Sequence, residues 1–180
     1  MITTGFKYRG IHSSFYNIIC DPNSRQLIPE KRRNTQIIPG RSGSYSQDDG
    51  AYNDRSESFT CYYTKREDSN ISLQAREIAA WLAVEGALCF DNEPDKFYDA
   101  YFTGSPPLSK HLKYGEFELT FTYSPPFAYT APQSLSAEIK SGEDIITIPV
   151  AGTAKTPCRI IIKNIGATTI ENLSISYQLL

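Results

Sequence analysis

The chain has 180 residues, 40% of them apolar, and 18 basic against 20 acidic side chains give a formal charge of -2. That length builds one sizeable core, or one core and a small second unit. The near-neutral balance gives no long-range field toward nucleic acid or an anionic membrane, and the 12% aromatic content favours pleated sheet.

Phe6 to Tyr8 and residues 15–20 are short apolar-aromatic runs separated by Gly10 and Ser13-Ser14, a pattern that predicts a hairpin or a pair of short strands. Asp21-Pro22-Asn23 then marks a turn. Residues 24–56 are polar and rich in turn formers, with Ile37-Ile38 as an apolar island. Pro39-Gly40 follows it and suits the centre of a type II turn, because Pro presets φ and Gly accepts a positive one. So long a polar excursion is unusual inside a domain, and it predicts a long hairpin with a mobile tip or an interaction arm.

Residues 57–64 predict a strand, with Phe59, Cys61 and Tyr63 on one face and Thr60 and Tyr62 on the other. A charged connector, 65–69, leads to a helix over 71–84. Its apolar stripe is Ile71, Ala75, Ile78, Ala79 and Leu82, with Trp81 at the flank. Ser69, Asn70 and Ser72 are candidate N-caps, and Gly86 suits a left-handed C-terminal position. A helix this short needs a sheet to lie on.

Residues 88–90 and 96–102 predict two strands around Asn92-Glu93-Pro94. Tyr114–Tyr123 gives the clearest alternation, with Phe117, Leu119, Phe121 and Tyr123 on one face. Pro125-Pro126 then breaks the chain and marks a boundary. Residues 145–150, 158–165 and 173–179 read as strands opening a second β-unit. No apolar run approaches membrane-spanning length.

Chemistry-bearing residues are sparse. Cys20, Cys61, Cys89 and Cys158 form no CxxC pair, and only His12 and His111 could join them in a metal site. Four cysteines allow three disulfide pairings and nothing selects one. The opening ten residues lack the apolar core of a signal peptide, so the expectation is free, mostly buried thiols in a reducing cytoplasm.

Asp91, Glu93 and Asp95 alternate as calcium ligands do, but Lys96 and Phe102 stand where an EF-hand needs Gly and Glu. The same carboxylates could form a glycosidase pair only by facing each other across a cleft, whereas sequence neighbours in a turn are more simply solvated. Lys31-Arg32-Arg33 is a basic triplet without interleaved aromatics, which reads as a solvated loop before a nucleic-acid patch. His12 beside Ser13-Ser14 invites a base–nucleophile pair. It lacks an elbow motif, and a histidine in a hairpin loop is the plainer account. Neither a P-loop nor GxGxxG nor GxSxG occurs.

Taken in order, several segments resemble the N-terminal domain of siphophage distal tail proteins. Phe6, Gly10, Ile11 and Ser13-Ser14-Phe15-Tyr16 resemble the family's opening strand pair. Ile38-Pro39-Gly40-Arg41-Ser42-Gly43 is similar to its I-P-G-R-x-G loop, with Ser42 in place of the usual Asp. Ala80-Trp81-Leu82 resembles the end of the family helix. Leu88, Asp91, Pro94, Tyr98 and Ala100 fit its L-x-x-D-x-x-P and Y-x-A segments, and Gly115 to Phe121 with Ser124-Pro125-Pro126-Phe127 resembles its closing strand.

The resemblance covers about the first 128 residues. It implies a mainly β protein, a β-sandwich with one α-helix and a long β-hairpin arm. Residues 1–128 would be that domain, 129–156 a linker with a short strand, and 157–180 the start of a truncated or abbreviated galectin-like β-domain. It further implies a non-enzymatic role without cofactor or metal, at the virion tail tip after assembly in the host cytoplasm. The partners implied are the chain itself, in a homo-hexameric ring, and the tail-tube and baseplate or tail-associated proteins, with no nucleic acid and no membrane insertion. Ile38, Pro39, Gly40, Arg41, Gly43 and Tyr45 are then the candidate inter-subunit arm residues. A carbohydrate-binding β-sandwich module, suggested by the many Tyr, is the alternative.

Overall fold

The computed structural model describes residues 5–21, 26–64, 70–104, 114–138, 147–148, 152–154 and 156–169. It divides into two compact units, Met1–Ser136 and Ala137–Leu180.

The first unit is mainly β, as its alternating aromatics predict. Its strands are β1 (Phe6–Tyr8), β2 (Ile11–His12), β3 (Ile18–Asp21), β4 (Lys31–Ile37), β5 (Ser44–Tyr52), β6 (Arg55–Thr64), β7 (Gly86–Phe90), β8 (Tyr98–Thr103) and β9 (Tyr114–Tyr123), with α1 (Ile71–Leu82) between β6 and β7. Seven strands form one antiparallel sheet in the order β2-β1-β7-β8-β9-β6-β3, and β4 and β5 pair apart from it. The long β6–β9 ladder sets the register, placing Phe59 opposite Leu119 and Cys61 opposite Phe117. Inward of it lie Phe59, Cys61, Tyr63, Leu119, Phe121 and Tyr123, all buried. Full burial of a large apolar side chain stabilises by about 1.5–3 kcal/mol, so this stripe dominates the core.

The helix closes that core with Leu82 buried and Ile78 packed against it, as its stripe predicts, but the buried face is turned toward Trp81. Trp81 and Gln74 are buried while Ala79 is exposed. The indole is the reason. It stacks on Phe6 at 5.6 Å and Tyr16 at 4.8 Å, and its Nε1 donates to the Tyr8 carbonyl at 3.0 Å. Asn70 is the N-cap, accepting from the Ser72 N–H at 2.9 Å. The helix ends at Ala83 in a right-handed conformation. Gly86 opens β7 instead of capping the helix. A Cβ there would press on the Arg9 side chain, so Gly86 serves a close approach.

Two local expectations are corrected near the start. Phe15 and Tyr16, expected to open a strand, instead end a 3-10 turn over Ser13–Tyr16, capped by His12 and closed by Asn17 in the left-handed region. β3 pairs with β6 and leaves β1 to pair with β2 and β7. The thiols are corrected too. Cys20 lies directly opposite Cys61 on the β3–β6 ladder, with Cα atoms 4.2 Å apart, and the two form a disulfide. Cys89 is free and buried, and Cys158 is free and exposed.

In the second unit, residues 156–169 contain no strand, and Ile160, Ile161, Ile162 and Ile165 are exposed. The expected strand at 158–165 thus lacks a ladder among the described residues. The expected strand at 173–179, most of 145–150, the connector 65–69 and His111 lie outside the described residues.

Candidate functional site: an exposed arm and its buried anchor

The excursion over residues 24–56 is a β-ribbon. β4 and β5 pair in register through Gln36 opposite Tyr45 and Ile37 opposite Ser44, with a bulge between Lys31 and Arg33. At the tip, the Arg41 N–H donates to the Ile38 carbonyl at 3.2 Å and Gly40 takes φ +79°. This is the type II geometry that Pro39-Gly40 predicts. Gly43, also at positive φ, returns the chain into β5.

Every residue from 31 to 50 is exposed. The seven residues of β4 reach about 24 Å at the usual strand rise. An isolated two-stranded ribbon is marginally stable in water, so this one lacks the covering that a sheet normally requires.

Charge is distributed unevenly along the ribbon. At its proximal end Lys31 pairs with Asp48 at 3.3 Å and Arg32 with Asp49 at 2.7 Å. The Gly50 N–H holds the Asp48 carboxyl below its ordinary range and the Ala51 N–H does the same for Asp49, each helped by its cation. The basic triplet is therefore strand, not loop, and two of its three cations face carboxylates within the ribbon. Between Asn34 and Gln47 the only charged side chain is Arg41. That distal half exposes Ile37 (82%), Ile38 and Tyr45, and the ribbon's base exposes Leu27 and Ile28. Of the candidate residues, Tyr45 and Ile37 fall on opposite faces of the ribbon, with Ile38, Pro39, Gly40, Arg41 and Gly43 in and around the turn.

The root of the ribbon is fixed by a polar cluster that sequence reading missed. Glu57 shares the inner face of β6 with Phe59, and its side chain is 2% exposed. Arg55 pairs with it, donating from Nε to Glu57 Oε1 at 2.7 Å. The Gln26 N–H donates to the same oxygen at 2.8 Å, and Arg55 also reaches the Gln26 carbonyl. Tyr123 completes the cluster from β9 by donating to Glu57 Oε2 at 3.0 Å. Burial, then the Glu57 charge, pushes the Tyr123 phenol far up, so it remains a donor. On the other side Tyr52 meets Phe127 edge-on at 5.1 Å, and the Asn53 N–H donates to the Glu30 carbonyl. A buried Glu in a run of alternating aromatics was the available sequence signal.

A second polar group joins distant residues. His12 Nε2 lies 3.0 Å from an Asp91 oxygen, and its Nδ1 accepts from the Ser14 N–H at 3.1 Å and lies 2.6 Å from Ser14 Oγ. His12 is thus on β2 and held by an acid, not in a free hairpin loop. Its ring caps the 3-10 turn and ties it to the end of β7. Asp95 pairs with Lys96 at 3.2 Å, so the acidic trio is divided among separate partners. No group of three His, Cys, Asp or Glu could hold a metal among the described residues.

A family model described as the phage tail protein RIFT-related domain matches residues 12–123. No curated protein matches the chain. Among solved structures, the SPP1 Dit (gp 19.1) protein, titled a paradigm of the hub adsorption apparatus in phages infecting Gram-positive bacteria, is similar at a TM-score of 0.56 and 13% identity. The match covers 71% of this chain and 52% of that one, so the chain spans about half the length of that relative.

Proposed function

Because this chain belongs to the phage tail protein RIFT-related domain family, we propose that it is a non-enzymatic hub of a siphophage tail tip, forming a ring that joins the tail tube to the baseplate or tail fibre. The family supports a structural role in a phage tail. The observation that supports the ring is the ribbon: all of residues 31–50 are exposed, with apolar side chains at the tip. A ribbon rooted on a buried ion pair yet uncovered along its length is suited to a neighbouring copy. Tip and body are different surfaces, so the contact is head-to-tail and can close into a ring. A homo-hexamer is the stoichiometry proposed, assembled in the host cytoplasm, with residues 157–180 belonging to a second β-domain.

The Tyr-rich composition behind a sugar-binding module has another use here, since Tyr8, Tyr16, Tyr63, Tyr98 and Tyr123 are buried in the core. Light scattering and negative-stain microscopy on concentrated protein, alone and with the tail-tube protein, test the proposal. Rings are expected. A strict monomer in both conditions contradicts it.

A further inference from the structure

The body has a surface that matches the tip. β3 ends the seven-stranded sheet, and no strand pairs with its outer edge among the described residues. On the face away from the core, Ile19 of β3 stands directly opposite Tyr62 of β6, and the two are 47% and 48% exposed. Beside them on β9, Glu116 lies opposite Tyr62 and Glu118 opposite Thr60. Farther along, this face is made of hydroxyls: Ser58 meets Thr120 and Ser56 meets Thr122, each at 2.8 Å. The described outward residues of β6 and β9 include no Lys or Arg.

We propose that the Ile19–Tyr62 pair with Glu116 and Glu118 is the seat of the ribbon tip of a second copy of this chain. This rests on the ring reading above and names its acceptor surface. The tip carries apolar Ile37 and Ile38 and the single charge of Arg41, with Tyr45 on the ribbon's other face, whereas the charged residues beside the seat's apolar pair on β6 and β9 are, among the described residues, the carboxylates of Glu116 and Glu118. The signs are opposite and each surface is apolar at its centre, the arrangement that fixes register and suppresses wrong pairings. Within one chain the two surfaces do not meet, since both tip and seat are exposed.

A charge swap tests this. Arg41→Glu puts a carboxylate on the tip against acidic seats. Glu116→Lys with Glu118→Lys puts cations on the seat against Arg41. Each variant alone is expected to assemble at least about tenfold more weakly than the parent, given the range of cross-interface charge pairs. Mixed in equal amounts, every contact between unlike copies is complementary, and assembly is expected to return.

The readout is mass photometry, with circular dichroism confirming that each variant is folded. If the parent assembles and the variants assemble equally well, the seat is elsewhere and the inference fails while the ring stands. Loss in both variants without recovery on mixing also overturns it. A parent that never assembles overturns the ring reading itself.

Discussion

The Tyr123 hydroxyl donates to Glu57 across the β6–β9 ladder at 3.0 Å, joining the core to the root of the ribbon. Glu57 is therefore required by three groups at once: Arg55, the Gln26 backbone and Tyr123. Glu57→Ala leaves Arg55 buried without its counter-charge and should cost about 3–5 kcal/mol. Tyr123→Phe removes one hydrogen bond to a charged acceptor and should cost about 1.5–3 kcal/mol. Urea unfolding of both variants checks the order of these effects.

Tyr63 presents the opposite case. Its hydroxyl is buried and has no hydrogen-bond partner among the described residues. Tyr63→Phe should thus be neutral or stabilise by about 1 kcal/mol, because it removes a polar group that folding desolvates. The ring lies over Gly115, its cross-strand neighbour, where an added Cβ would collide with it. Gly115→Ala should destabilise by about 1–3 kcal/mol through that overpacking. Thermal melts should fall for Gly115→Ala and hold or rise for Tyr63→Phe.

Tyr129 links stability to alkaline pH. Burial, then its hydrogen bond to Asp99 at 2.7 Å, pushes its phenol up to about 12 from an ordinary 10.0. The folded state binds this proton more tightly than the unfolded state. The contribution is therefore complete below about pH 10 and is lost as pH rises toward 12. Tyr8 and Tyr123 are raised in the same direction. Tyr129→Phe should make the fall in urea midpoint over this window shallower without abolishing it.

The cysteines should separate by reactivity. Exposed Cys158 should react quickly with iodoacetamide, while Cys89, buried and with its thiol pushed up by desolvation, should react slowly. Cys20 and Cys61 should react only after reduction. Their link spans a sequence separation of 41, and reduction should cost about 4 kcal/mol by loop-closure entropy. Mass spectrometry of labelled protein, with and without reductant, checks both statements.

Period-two alternation made β6 and β9 legible, because a strand buried on one face repeats its apolar residues every second position. Pro39-Gly40 likewise made the tip turn legible through backbone sterics alone. What escaped the sequence was non-local. Nothing along the chain pairs Cys20 with Cys61, or His12 with Asp91, until β3 meets β6 and the pairing of β1 with both β2 and β7 brings His12 to the residue after β7. The helix stripe held at Leu82 and Ile78, while Trp81, the largest side chain, shifted the buried face toward itself and away from Ala79. Glu57 shares the period-two face of Phe59, Cys61 and Tyr63, but its partners Arg55 and Tyr123, which account for its burial, come together only in the folded sheet.

The most direct measurement is sedimentation velocity of the wild-type chain beside Ile37→Ser, Ile38→Ser and Tyr45→Ser combined. These side chains are exposed, so the triple variant should keep the parent's melting temperature. The account predicts a concentration-dependent large species for the wild type and a monomer for the variant. Equal assembly by both chains, or a wild type that stays monomeric throughout, would contradict it.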